Sequence, residues 1–358
     1  MSPAQRYRQE LAAGNLIEDE AQHLAVALLD DLHRRLQTRR PRRLWRLRRR
    51  AAVPECGLYL WGGVGRGKTM LMDLFHECLP AGGLRMHFHR FMRRVHDELH
   101  GLRGTPNPLR RVADGLAERA RVLCFDEFFV ADIGDAMILG ELLGNLFDRG
   151  VTLVATSNVR PGLLYANGLQ RRRFLPAIAA IERHTQVHRM DGAVDHRLRT
   201  LERAEIYHSP LDDAAERGLA ASFEALAPGQ PRDSVDLEVN GRNIRARRIA
   251  DDVAWFEFAE LCEGPRSASD YIELACCHNA VLVSNVRRFD ASHEDAARRF
   301  IGLVDEFYDR NVKLIVSADA PVGELYGGEQ YRREFERTRS RLMEMQSHAY
   351  LARSHKAG

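Results

Sequence analysis

Two short runs of this sequence carry side chains that could act on a phosphate. The first is Gly62-Gly63-Val64-Gly65-Arg66-Gly67-Lys68-Thr69. Its glycines let backbone N–H groups converge on phosphate oxygens without a Cβ in the way. An apolar run precedes it and a helical pattern follows, so a helix N-terminus adds the positive end of its dipole. In that setting Lys68 reaches the β- and γ-phosphates and Thr69 offers a hydroxyl to Mg²⁺. The second run, residues 121–127, is an apolar strand that ends in Asp126 and Glu127. Open parallel sheets bind ligands at this carboxyl edge. Asp126 is expected in the Mg²⁺ shell, and Glu127 is expected to polarise the attacking water as general base. The pair of motifs implies ATP and Mg²⁺ as ligands and hydrolysis as the reaction.

Further polar residues fall where the same chemistry could use them. Residues 151–157 read as a buried strand that delivers Asn158 toward the γ-phosphate, if it lies between the other two strands; otherwise Ser157 and Asn158 simply turn the chain. Arg171, Arg172 and Arg173 open the next helical stretch. One of the three could stabilise charge on a phosphoryl group, often that of a neighbouring subunit, whereas a solvated basic face is the plainer reading of any single one of them. His87 and His89 on one strand, with His96 and His100 on the next helix, have spacings that can build metal sites. Lacking an acid or Cys at matching spacing, they are expected to be structural or to sense the active site.

Positioning these groups requires a parallel sheet. Short apolar runs alternate with helical ones, placing strands at 58–61, 86–91, 122–126, 151–157 and 185–190. Helices are expected at 68–79, 91–102, 109–120, 136–149 and 169–183, after an amphipathic helix at 17–36 whose face is Leu24, Leu28 and Leu32. Beyond residue 191 the texture changes, and Asn240-Gly241 between two alternating runs signals a hairpin with a type I′ turn. One echo stands out. Asp148-Arg149-Gly150-Val151 and the strand after it, on to Tyr165, resemble Asp309-Arg310-Asn311-Val312 through Tyr326. Convergence on one helix-then-strand solution is the simpler explanation, and it predicts a strand in the C-terminal part. The expected division is an N-terminal helix and linker (1–56), an ATPase core (57–200) and a mixed α/β region with a β-hairpin (201–358).

Hydrophobic residues make up 45% and charged residues 29% of 358, a globular balance. No apolar run reaches a spanning length, no secretory signal opens the chain, and the six cysteines show no CxxC pair, so a cytoplasmic protein is expected. The net charge of +3 hides ten arginines and no acid across residues 34–50. With Leu44, Trp45 and Leu47 between them, they suit an anionic membrane surface, an acidic or membrane protein, or nucleic acid, as well as a solvated linker.

Several longer strings resemble one family. They are residues 57–69 (GLYLWGGVGRGKT), 87–92 (HFHRFM), 124–137 (CFDEFFVADIGDAM), 155–158 (ATSN), 164–176 (LYANGLQRRRFLP) and 195–199 (DHRLR), continued at 297–306 (ARRFIGLVDE) and 340–346 (SRLMEMQ). They are similar to the ZapE cell-division ATPases of proteobacteria and their mitochondrial AFG-type relatives, over nearly the whole chain. The resemblance implies a P-loop NTPase of AAA+ type with sheet order 5-1-4-3-2 and helices on both faces. It implies Asn158 as first sensor, Arg171 or Arg173 as finger, and a homo-oligomeric ring. It also implies work on the division ring built by FtsZ, at the inner face of the cell membrane. His196 stands where the family commonly has Tyr. The rivals are a DNA-associated helicase loader and a slow ATP-dependent binding switch that handles membrane proteins.

Overall fold

Phe88, Phe91, Met92 and Val95 recur at helical spacing, and all four are buried. The chain therefore turns from strand to helix directly after His87, so β2 is Gly83–His87, not the expected 86–91, and His89 lies on the helix that follows. The structure is a computed structural model. It describes all residues except 15, 17, 39–52, 64, 65, 80, 81, 131, 167, 191–204, 228–230, 251, 354, 357 and 358. The chain divides into two compact units, Met1–Ala193 and Val194–Ala357.

The first unit opens with α1 (Pro3–Ala12) and α2 (Glu20–Thr38). The buried face of α2 is Ala25, Val26, Leu29, Leu32 and Leu36; Leu24 points outward, one residue off the expected stripe. Then come β1 (Gly57–Trp61), α3 (Lys68–Cys78), β2, α4 (Phe88–Gly101), α5 (Pro108–Arg119), β3 (Val122–Asp126), α6 (Ile133–Asp148) and β4 (Thr152–Ser157). A 3-10 turn at Arg171–Arg173 precedes α7 (Leu175–His184) and β5 (Thr185–Arg189). The three arginines thus stand before the helix instead of opening it, because Pro176 favours a helix start at residue 175. The sheet is wholly parallel, in the order β2-β3-β4-β1-β5, which is the expected order read from the other edge. One face packs on α1, α2 and α3 through Tyr7, Leu29, Leu32, Leu71 and Phe75, against Leu58, Leu60, Val122, Cys124 and Val154. The other face is covered by α4 to α7. Strands buried on both faces read as continuous apolar runs.

The second unit contains β6 (Tyr207–His208), α8 (Asp213–Leu226), β7 (Arg232–Val239), β8 (Arg242–Ala250) and β9 (Val253–Glu257). These are followed by α9 (Phe258–Cys262), α10 (Ala268–Cys277), β10 (Ala280–Val286), α11 (Glu294–Asp309), β11 (Lys313–Ala318), α12 (Arg332–Met345) and α13 (His348–Leu351). Its sheet runs β6-β11-β10-β9-β8-β7, parallel from β6 to β9. β7 and β8 form the expected hairpin, with Asn240 and Gly241 at φ 49° and 72° as a type I′ turn needs. β11 is the strand that the echo predicted.

Candidate active site

Gly57 to Trp61 pairs with β4 on one side and β5 on the other, so β1 ends in the middle of the sheet with the glycine loop above its carboxyl edge. Gly62 leaves that edge where an added Cβ would come within 2.6 Å of the Met190 carbonyl oxygen. Gly67 caps α3 in the left-handed region, at φ 73°. A Cβ there would lie 2.8 Å from Gln22 Nε2, and both positions therefore require glycine. Val64 and Gly65 lie outside the described residues, while Gly63 and Arg66 flank them. Gln22 Nε2 donates to the Arg66 carbonyl (3.4 Å) and accepts at Oε1 from the Tyr7 hydroxyl (3.0 Å), so α1 and α2 brace the loop from behind.

Lys68 is buried, and its ammonium donates to the carbonyls of Gly62 (2.8 Å) and Gly63 (2.6 Å) and to Asn158 Oδ1 (3.1 Å). β4 does lie between β1 and β3, and Asn158 leaves its end directly over the loop lysine. Thr69 Oγ1 donates to Asp126 Oδ1 at 3.3 Å. Asp126 is fully buried and also accepts from Thr156 Oγ1 and from Arg85 Nη2 (3.2 Å). Arg85 in turn pairs with Asp73. Glu127 follows at φ 52°, an uncommon conformation for a residue with a side chain, and its N–H is fixed by Thr156 Oγ1 at 3.1 Å. One hydroxyl thus serves both acids.

Arg85, Thr156, Gln22 and Tyr7 are the parts that motif reading missed. Arg85 falls one residue before the expected strand at 86–91, so the strand pattern gave no signal for it. The Gln22 contact had none either, since it joins residues far apart in the chain. Enclosure of the His87 ring, opposite Asp126 in the ladder, lowers its pKa to about 4 against the pull of that carboxylate. His96 does meet an acid, Asp135 on α6, at 2.7 Å. Among the described residues no cluster of three or more His, Cys, Asp or Glu could hold a metal. Arg171 Nη2 is tied to the Gly162 carbonyl (2.7 Å), whereas Arg172 and Arg173 are exposed.

Arg34 and Arg35, the start of the basic run, belong to α2. Arg34 pairs with Asp31, and Arg35 with Asp31 and Glu55. Residues 39–50 and the His196 segment lie outside the described residues. No helix among the described residues is long and apolar enough to cross a membrane.

This arrangement sets a buried cation at a helix N-terminus beside two acids, a hydroxyl and an amide. Such a set can bind a polyphosphate and activate water. The chain is 46% identical over 372 residues to the cell division protein ZapE of Escherichia coli strain K12, covering 100% of this chain and 99% of that protein. It is 40% identical over 306 residues to lactation elevated protein 1 homolog B of Danio rerio, covering 81% of this chain and 60% of that protein. The solved structure of AMPPCP-bound DnaA from Aquifex aeolicus is similar over 52% of each chain, with 14% identity and a TM-score of 0.35. The sequence pattern of the AFG1-like ATPases matches residues 1–354, so this chain belongs to the AFG1-like ATPase family and is an ATP-hydrolysing enzyme.

Proposed function

We propose that the chain couples ATP hydrolysis at the Lys68–Asp126–Glu127 site to remodelling or destabilising the FtsZ division ring, on the cytoplasmic side of the inner membrane. The observation that carries this is the full-length likeness to a cell division protein, over the very residues that form the site. Thr69 and Asp126 offer only oxygen donors, close together, which fits Mg²⁺. When bound with the nucleotide, Mg²⁺ neutralises charge on the phosphates.

In the proposed mechanism Lys68 exchanges its carbonyl and Asn158 contacts for phosphate oxygens, and Gly62 to Gly67 supply N–H groups around them. Asn158, released from Lys68, orients the attacking water, and Glu127 takes its proton. Glu127 stands just past the strand end, in a left-handed conformation whose N–H is held by Thr156. Arg85 holds the Asp126 carboxylate in place. Subunits assemble as a ring in which exposed Arg173, or failing that Arg171, stabilises the neighbour's transferring phosphoryl group. The basic run at 34–50 docks on anionic lipid or an acidic partner.

The test polymerises FtsZ with this protein and ATP. Shortened or dispersed polymers are expected with the parent chain and unaltered ones with Glu127→Gln. Equal polymers in both would remove the division ring as substrate. Deleting residues 39–50 is expected to reduce binding to anionic vesicles at low salt and to leave basal ATPase activity in place.

A further inference from the structure

The echo between residues 148–165 and 309–326 is not confined to one helix and one strand. β2-β3-β4-β1 of the first sheet and β9-β10-β11-β6 of the second are both parallel, in the same order, with one ladder register. Val122 faces Gly83 and Thr152, as Ala280 faces Val253 and Lys313. Tyr59 faces Ala155, as Tyr207 faces Val316.

Details that no packing rule demands also recur. Tyr59 donates its hydroxyl to the Val159 carbonyl (3.0 Å), and Tyr207 to that of Ala320 (2.7 Å). Glu127 and Asn285, each just past the matching strand position, are both left-handed, at φ 52° and 63°. Their N–H groups are held by Thr156 Oγ1 and Ser317 Oγ, both at 3.1 Å. α6 and α11 are each 16 residues long. Each is followed by an arginine, a left-handed residue (Gly150, Asn311) and a valine whose N–H returns to Leu146 or Phe307. Tyr165 then meets Phe174, and Tyr326 meets Phe335, with Arg171 and Arg172 in the first interval matched by Arg332 and Arg333 in the second. Convergence, the simpler reading of the sequence, does not produce this set.

Counting without a gap from the matched tyrosines, Leu219 and Phe223 fall at the places of Leu71 and Phe75, and all four are fully buried. α8 and α3 then end together, at Leu226 and Cys78. The same count puts Glu216 at the place of Lys68. The glycine loop becomes residues 210–215, which contain no glycine, and α8 already begins at Asp213, capped by Asp212. Ser284 takes the place of Asp126, Asn285 that of Glu127, and Asp319 that of Asn158.

The ground this clears is filled from within the unit. Arg247, on the β7–β8 hairpin that the first unit lacks, forks onto both oxygens of Glu216 (2.5 and 3.3 Å). It also pairs with Glu257 (2.9 Å), donates to Ser284 Oγ (3.1 Å) and lies over the Trp255 ring. Trp255 Nε1 donates to that same hydroxyl (2.6 Å), and Asn285 Nδ2 to Glu257 (2.8 Å). A carboxylate stands where phosphate needs a lysine, and a hydroxyl bonded to a guanidinium where a metal ion needs an acid.

We infer that the Val194–Ala357 unit is a second P-loop-type unit whose nucleotide site is closed by the Arg247 salt cluster, so that it works without nucleotide and each chain carries one ATP site. The test uses the full chain. Equilibrium dialysis of Glu127→Gln against Mg·ATP is expected to give one nucleotide per chain; two would overturn the inference. In calorimetry, Arg247→Ala is expected to lower the melting midpoint of the second unit by several degrees. Adding Glu216→Gln is expected to restore part of that loss, since it neutralises one of two carboxylates left facing each other. An unchanged midpoint, or a second-unit midpoint that Mg·ATP raises in Lys68→Ala with Arg247 intact, would overturn the closed site. Should Arg247→Ala not fold, Arg247→Lys keeps one charge without the fork, and an intermediate midpoint is expected; parent-like stability there would count against the cluster.

Discussion

Lys68 is buried behind a loop whose shape needs glycine, whereas Glu216, at the matching place, lies half-buried on a plain helical turn. Around both, the apolar side chains do the same work: Leu71 and Phe75 on α3, Leu219 and Phe223 on α8, each set against the inner strands of its sheet. The sheet and its helices are therefore sustained by buried area alone, at roughly 25 cal/mol per Å² of apolar surface. The phosphate site is an addition that the framework does not need. It requires a buried ammonium, a buried carboxylate and a left-handed glutamate, each costly unless function retains it. In the second unit Asp126 gives way to Ser284, the left-handed position holds Asn, which tolerates it, and the charges sit nearer solvent.

The difference can be broken at its strongest point through subunit assembly. Arg173→Ala is expected to lower turnover about 10³-fold or more while ATP still binds. Mixing it with Lys68→Ala should recover part of the rate, since some interfaces then join an intact pocket to an intact arginine. No rate at any mixing ratio, with mixed oligomers present, for Arg173 and Arg171 alike would exclude a shared site at this turn. Glu127→Gln comes next, with a loss of about 10²–10⁴-fold in turnover and ATP affinity retained, read by fluorescent-nucleotide titration. Asn285→Ala, its counterpart, should not change turnover.

A pH effect belongs to the second unit. Burial of His355, bonded to the Ala275 carbonyl at 2.6 Å, lowers its pKa to about 4. The unfolded chain binds this proton more readily, so the stabilisation is complete above about pH 6.5 and is lost as pH falls toward 4. About 3 kcal/mol is at stake. His355→Gln should flatten the pH dependence of that unit's melting. The smallest effect compares two hydroxyls. Ser317→Ala should cost about 0.5–1.5 kcal/mol for one backbone hydrogen bond and leave turnover alone. Thr156→Ala should cost slightly more and also slow turnover, because the same oxygen serves Asp126 and Glu127.

Much of the first unit was legible because its strands are buried on both faces and its glycine motif is local. The strand order and the place of Asn158 beside the loop lysine followed from spacing and resemblance. What escaped was non-local. Gln22 reaches Arg66 only once α2 has packed, and Arg85 finds Asp126 only through a neighbouring strand. The β2 boundary slipped because residues 86–91 are apolar enough for either period, and the burial of Phe88, Phe91 and Met92 decided for helix. The second unit was the least legible. Its likeness to the first lies in register and hydrogen bonds, which survive when the glycines and the lysine that advertise such a fold are gone.

The order of strands also dictates when this protein can first exist on the ribosome. β1 is made before every other strand of its sheet, yet its two neighbours are β4 and β5, so Leu58 has no partner there until Val154 and Gln186 have been synthesised. Until then Leu58, Tyr59, Leu60 and Trp61 form an apolar strand with two unpaired edges, a template for association with other nascent chains. α1 and α2, emerging ahead of it with an apolar face of their own, can cover one side of that strand while the rest of the sheet is translated. The N-terminal helices then shield β1 during synthesis, and shortening them should show first as aggregation during expression, before any loss of catalysis.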